Sequence, residues 1–167
     1  MAETGSAAPR AVSDAPDAHA RAILAAIPQR APFRFIDEIL EVSDEHIVGR
    51  YRFRPDEFFY EGHFPGDPIT PGVILTEAMA QTGVVALGLH LAASSGADVG
   101  GLTTVFTESN VEFSGFVRPG DVVTTVARKI YFRRMKLKVG AEMSLPDGRT
   151  VCSGELAGMG VPLAGRS

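Results

Sequence analysis

Cysteine is nearly absent from this chain: one among 167 residues, which excludes an intramolecular disulfide and fits a reducing compartment. Positive charge is not in excess either. Sixteen Lys and Arg stand against 20 Asp and Glu, a formal net charge of −4, which argues against a general binder of polyanions. A secretory leader needs a basic start and an apolar run of about 7–15 residues. The N-terminus has neither, so the chain is expected in the cytoplasm. It also lacks Gly-x-Ser-x-Gly, Cys-x-x-Cys, His-x-x-x-His, a phosphate-cradling glycine loop and any internal repeat.

What is present fits one domain. A chain of this length buries roughly 70% of its unfolded surface, enough for a core without covalent staples. Residues 1–20 are rich in Ala, Gly, Pro, Ser and Asp, and Val12 is the only large apolar residue after Met1. A disordered tail over 1–20 and one folded domain over 21–167 are expected.

Ala22 to Ile27 suggests a short helix, ended by Pro28 and Pro32. Phe33 to Leu40 reads as a first strand. Ile47, Gly49, Tyr51 and Phe53 alternate with Val48, Arg50, Arg52 and Arg54, the signature of a half-buried second strand with one cationic face. A segment full of Pro, Gly and aromatics follows from Pro55 to Thr70, too apolar for a solvated linker. Val73 to Ala92 is then nearly continuous in apolar residues. Glu77, Gln81, His90 and two glycines make membrane insertion a poor reading, so this is expected as a helix buried on most sides, with Pro71 in its first turn. Leu102–Thr107, Val111–Val117, Val122–Ile130, Leu137–Leu145 and Thr150–Met159 alternate again, with turn chemistry at Pro119-Gly120-Asp121 and Pro146-Asp147-Gly148. One apolar helix among antiparallel strands needs a sheet around it, giving an α+β domain. The strand edges favour pairing with a second copy.

Two ionisable residues stand where such groups are expensive. His63 lies in the aromatic loop, and Glu77 is the only charged residue between Asp67 and Asp98. A carboxyl group in an apolar helix wall loses solvation and tends to keep its proton, and a histidine is a natural partner base. Taken alone, His63 also reads as an ordinary loop residue, and Glu77 as a structural hydrogen-bond partner of Gln81 or of the backbone. His90 reads as a partner of the helix dipole. Cys152, in an alternating strand, reads as a buried inert thiol.

The run Gly62-His63-Phe64-Pro65-Gly66-Asp67-Pro68-Ile69-Thr70-Pro71-Gly72-Val73, followed by Glu77-Ala78-Met79-Ala80-Gln81, strongly resembles the β-hydroxyacyl-acyl-carrier-protein dehydratases of fatty acid synthesis, of the FabZ type. The likeness extends from about Ile27 to Gly158. It implies a hotdog fold, a curved antiparallel sheet wrapped around one long central helix. It further implies a homodimer in which His63 of one subunit and Glu77 of the other form the catalytic pair, singly or as a trimer of dimers. The isomerising FabA-type branch usually has Cys and Asp where this chain has Val73 and Glu77, so the chain looks like the branch that only dehydrates. The expected substrate is a (3R)-3-hydroxyacyl thioester on acyl carrier protein, and the product a trans-2-enoyl thioester, with no cofactor and no metal. Gly72, at the helix start, would offer its N–H to the thioester oxygen. Phe58, Phe59, Phe64 and Phe106 are candidate walls for the acyl chain.

Arg128, Lys129, Arg133, Arg134, Lys136 and Lys138 put six cations into eleven residues without an acid. They read either as a solvated strand face or as the docking patch for the acidic carrier protein that the resemblance implies. Overall acidity and the lack of a nucleic-acid motif set RNA aside. Gln29 stands where the family usually has His, and Val111 to Gly115 lacks the Arg and Lys common there, so a fatty acid carrier and one of a polyketide or polyene pathway both remain open. The rival functions are a hotdog thioesterase or CoA-thioester hydratase, and a non-catalytic module that binds acyl carrier protein.

Overall fold

Alternation of side chains decides the sheet. In the strand Lys136–Ser144, Leu137, Val139, Ala141 and Met143 are buried while the residues between them are not; in His46–Arg52, Ile47, Gly49 and Tyr51 do the same. A computed structural model describes residues 17–162. Its strands are β1 (Glu38–Val42), β2 (His46–Arg52), β3 (Leu102–Phe113), β4 (Val122–Arg133), β5 (Lys136–Ser144) and β6 (Thr150–Pro162). They form one antiparallel sheet in the order β1-β2-β4-β5-β6-β3. Short β1 and 12-residue β3 are thus its two edges.

A continuous helix over Gly72–Ser94 fills the sheet. It consists of α2 (Gly72–Ala80), a π-helical stretch (Gln81–Ala86) and α3 (Leu87–Ser94). The helix is long and apolar enough to cross a membrane, yet most of it is buried inside the protein. All six π-helical residues are buried, and this stretch touches β2, β4, β5 and β6. Gly83 makes the close approach: a Cβ there would lie 2.8 Å from Ala127 Cβ and 3.2 Å from Val139 Cγ2. The core around it includes Leu75, Met79, Leu87, Val139, Met143 and Leu156, all essentially inaccessible.

Four expectations change. The first strand starts at Glu38 rather than Phe33, because the Phe33 carbonyl and the Phe35 N–H are bound by the Gln81 side chain instead of a neighbouring strand. The two strands expected over 102–117 are one strand, β3. A bulge between Phe106 and Glu108 resets its alternation, which makes it read as two. The Pro119-Gly120 turn does not close a hairpin, since β3 and β4 are not neighbours; Phe53 and Asp121 instead begin the pairing of β2 with β4. Pro71 caps the central helix rather than entering its first turn.

The tail boundary at residue 20 also falls inside a helix, α1 (Ala18–Ala26), which buries Ala20 and Ile23. His19 Nε2 lies 2.8 Å from His90 Nδ1, and His90 Nε2 lies 2.8 Å from Asp44 Oδ1. This chain of contacts, spanning 71 positions of sequence, anchors a segment whose local composition looks too polar to fold. The rest of the expected tail, residues 1–16, lies outside the described residues, as do 163–167.

Candidate active site

The loop before the central helix is built on aromatic packing. Phe59 and Tyr60 meet edge-on at 4.7 Å, and Phe59 also packs near Phe35 and Phe53. Tyr60 and Thr70 join their hydroxyls at 2.7 Å, the Thr70 N–H donates to the Val117 carbonyl, and Arg118 pairs with Asp67 at 2.7 Å. This scaffold holds His63. The backbone N–H of His63 donates to the Phe59 carbonyl, its carbonyl accepts from Ile69 N, and the Phe64 ring stacks on the imidazole at 4.1 Å.

His63 Nδ1 is 2.9 Å from the Ile69 carbonyl oxygen. A carbonyl only accepts, so Nδ1 carries the proton, and in the neutral ring the Nε2 lone pair is left free. That is the form a proton acceptor needs.

Glu77 lies on the second turn of α2 and is half-buried. Loss of solvent raises its pKa above the ordinary carboxylate value, opposed in part by the hydrogen bond from Gln81. Gln81 Nε2 donates to Glu77 Oε1 at 2.9 Å and to the Phe33 carbonyl at 3.0 Å, while Gln81 Oε1 accepts from Phe35 N at 2.7 Å. Gln81 is 0% exposed, so its amide is a rigid bracket for one carboxylate oxygen. The spacing of four residues on a helix announces this contact in the sequence; its backbone partners, more than 40 positions away, do not.

Gly72 is the first residue of α2, where a backbone N–H has no intrahelical partner and the helix dipole is positive. A Cβ at Gly72 would meet the Phe113 ring at 3.1 Å, so the glycine lets the end of β3 cover the helix start. No sequence signal links Phe113 to Gly72. Within one chain, no hydrogen bond among the described residues joins His63 to Glu77.

The six cations separate into two groups. Lys129 pairs with Glu45, Lys136 with Glu108, and Lys138 with Glu108 and Glu155, so acids from other elements answer charges that look uncompensated in sequence. Arg128, Arg133 and Arg134 have no ion pair among the described residues, and the Arg133 guanidinium lies 5.8 Å from the Tyr131 ring centre. Of the candidate wall aromatics, Phe58, Phe64 and Phe106 are exposed and Phe59 packs against the core. Cys152 is buried 3.8 Å from Met79 Sδ, and burial pushes its thiol up to about 12, which leaves it inert. Among the described residues no cluster of His, Cys, Asp and Glu is arranged to hold a metal.

Residues 27–155 match the FabA-like domain family. A protein of Caldicellulosiruptor bescii named 3-hydroxyacyl-[acyl-carrier-protein] dehydratase FabZ is 38% identical over 136 residues, covering 80% of this chain and 92% of that protein. A protein of the same name from Roseiflexus castenholzii is 39% identical over 137 residues, covering 80% and 90%. Among solved structures, the dehydratase heterocomplex ApeI:P from Xenorhabdus doucetiae superposes with a TM-score of 0.69 at 16% identity, covering 82% of this chain and 89% of that one. A hypothetical thioesterase with coenzyme A from Streptococcus pneumoniae gives 0.54 at 18% identity, covering 78% and 88%. These two speak for the fold alone, which is the hotdog arrangement of sheet and central helix.

Proposed function

This chain belongs to the FabA-like domain family, and from that premise we propose that it is a FabZ-type dehydratase working through His63 of one subunit and Glu77 of another. It removes water from (3R)-3-hydroxyacyl thioesters of acyl carrier protein and yields trans-2-enoyl thioesters in fatty acid synthesis. His63 Nε2 takes the C2 proton. The thioester oxygen gathers the charge and is held by the Gly72 N–H, a kind of donor whose loss elsewhere costs about 3 kcal/mol. The C3–O bond then breaks as Glu77 gives its proton to the departing hydroxyl, and water leaves. A proton passed from the imidazolium to the Glu77 carboxylate resets the site. No cofactor enters this cycle.

The observation that carries the reading is the setting of each group. Burial raises the Glu77 pKa above the ordinary carboxylate value, while the Ile69 carbonyl fixes His63 with a free Nε2. One group is poised to give and the other to take.

The dimer is supported by β3. This edge strand exposes Val105 and Phe106 at 45% each and Phe113 at 50%, on a stretch long enough to pair with a copy of itself. The opposite edge, β1, has five residues, a bulge and α1 packed against it. Arg128, Arg133 and Arg134 form the part of the basic patch best suited to an acidic carrier protein. A cytoplasmic setting agrees with the single buried thiol.

The test supplies 3-hydroxyacyl-carrier substrate and follows enoyl thioester absorbance beside thiol release. Enoyl product without thiol supports the dehydratase, whereas thiol release supports a thioesterase. His63→Ala is expected to bind carrier like the parent and to lose turnover by about 10²–10⁴-fold. A variant that turns over normally removes His63 from the mechanism.

A further inference from the structure

The segment that presents His63 has no buried residue of its own. Between Tyr60 and Thr70, which are 6% and 5% exposed, His63, Pro68 and Ile69 are half-buried and the rest are exposed. Packing therefore holds the two ends of this loop and little between them. At its tip the Asp67 N–H donates to the Phe64 carbonyl at 3.1 Å, and the pairing of Arg118 with Asp67 lies in solvent, where an ion pair adds little. The base is closed differently. There the hydroxyls of Tyr60 and Thr70 meet at 2.7 Å, out of contact with water.

His63 is strung between the two legs of the loop. Its N–H donates at 3.1 Å to the carbonyl of Phe59, the residue before Tyr60. Its carbonyl accepts from Ile69 N, and its Nδ1 donates to the Ile69 carbonyl, both at 2.9 Å, and Ile69 is the residue before Thr70. The direction of the imidazole thus depends on how far apart the legs stand. Each leg is tied separately to the rest of the protein, Tyr60 N to the Glu57 carbonyl and Thr70 N to the Val117 carbonyl, so neither of these bonds fixes that separation. The hydroxyl pair does. Phenylalanine and valine would fill the same two sites with no buried polar group to satisfy, so packing alone does not call for the hydroxyls.

We propose that Tyr60 and Thr70 are positioning residues for the reaction, a clamp that keeps the Ile69 carbonyl on His63 Nδ1 and so reserves Nε2 as the proton acceptor. The inference rests on the dehydratase reading and deepens it. When the clamp is lost the legs part, the contact with the Ile69 carbonyl lengthens, and the neutral imidazole is free to carry its proton on either nitrogen. A ring protonated on Nε2 cannot take the C2 proton. A ring that keeps the right tautomer but swings away also fails, since a displacement of about 1 Å at a reacting group costs on the order of 10²-fold.

The test compares Tyr60→Phe, Thr70→Val, the double variant and Thr70→Ser with the parent, by kcat and KM on 3-hydroxyacyl-carrier substrate, urea denaturation, and nitrogen NMR of the histidine rings with His63 assigned by the signal lost in His63→Ala. Each of the first two is expected to lower kcat by about 10–10²-fold with KM little changed, and Thr70→Ser to keep the parent kcat. Stability separates positioning from support. Either single change leaves a buried hydroxyl without its partner, whereas the double variant replaces both by apolar groups and regains stability. A clamp leaves the kcat of the double variant low; a kcat that returns with stability overturns the proposal. The parent His63 is expected with its proton on Nδ1 and the variants with a mixture. If Thr70→Val does not fold, Tyr60→Phe alone carries the kcat and NMR readings. An unchanged kcat in a parent that dehydrates overturns the clamp and leaves the dehydratase reading standing. A parent that does not dehydrate, yet whose His63 tautomer becomes mixed on Tyr60→Phe, upholds the clamp and overturns the dehydratase reading.

Discussion

The two halves of the central helix are about equally apolar and differ in their surroundings. Its N-terminal half carries Gly72 at a free helix end, Glu77 half in solvent, and Gln81 locked by three hydrogen bonds. Its C-terminal half has His90 tied to α1 and to the β1–β2 turn, and otherwise presents apolar side chains and Gly88. The π-helical stretch divides them, and Gly83 within it presses the helix onto β4 and β5. The carboxyl group of this apolar helix stands where a second, buried polar residue fixes it. The same apolarity elsewhere serves packing.

The sharpest way to break this contrast is Glu77→Gln. Activity is expected to fall by about 10²–10⁴-fold, read by enoyl absorbance, with the fold intact by circular dichroism. The pH dependence of stability should change with it. The folded pKa of Glu77 lies above its unfolded value of about 4.5, so the folded state holds the proton more tightly. Stability from this group is complete below the unfolded value and is lost as pH rises through the folded one. Glu77→Gln should flatten that part of a denaturation-versus-pH curve, and an unchanged slope would show that Glu77 is not the group responsible.

Gln81→Leu is next in size. It leaves the buried Phe35 N–H without its acceptor, which costs about 1–3 kcal/mol in urea denaturation. It also removes the hydrogen bond that holds the Glu77 pKa down, so the pH at which activity falls on the alkaline side should move upward. The two remaining substitutions compare glycines five positions apart. Gly83→Ala forces a Cβ to within 2.8 Å of Ala127 and is expected to destabilise by about 1–3 kcal/mol. Gly88→Ala meets only an ordinary contact and is expected to stabilise the helix by about 0.5–1 kcal/mol, seen as a higher Tm. Equal effects at the two sites would erase the distinction between a glycine pressed against the sheet and one with room for a methyl group.

Much of this architecture was legible in the residues. Alternation located β2, β4, β5 and β6, and the apolar run located the helix, because burial of one sheet face imposes period two and burial on most sides imposes continuity. The unusual positions of His63 and Glu77 singled them out before any geometry. Less was legible where a distant partner replaces a local rule. The β4–β5 turn puts Arg134 and Met135 at positive φ with no Gly or Asn to announce it. Phe33 to Asp37 has strand-like residues but spends its backbone bonds on Gln81 and on the start of the β1–β2 pairing. Lys129, Lys136 and Lys138 look unanswered along the chain, yet acids in three other elements neutralise them.

By itself the sequence determined four of the six strands, the buried helix and the identity of the candidate acid and base, since each depends on residue type and spacing within about twenty positions. Only the tertiary structure decided which strands are edges, which cations remain free, why α1 is anchored, and which glycine is space rather than contact. Those depend on atoms brought together from far along the chain, and a contact between distant residues leaves no period in either of the segments that make it.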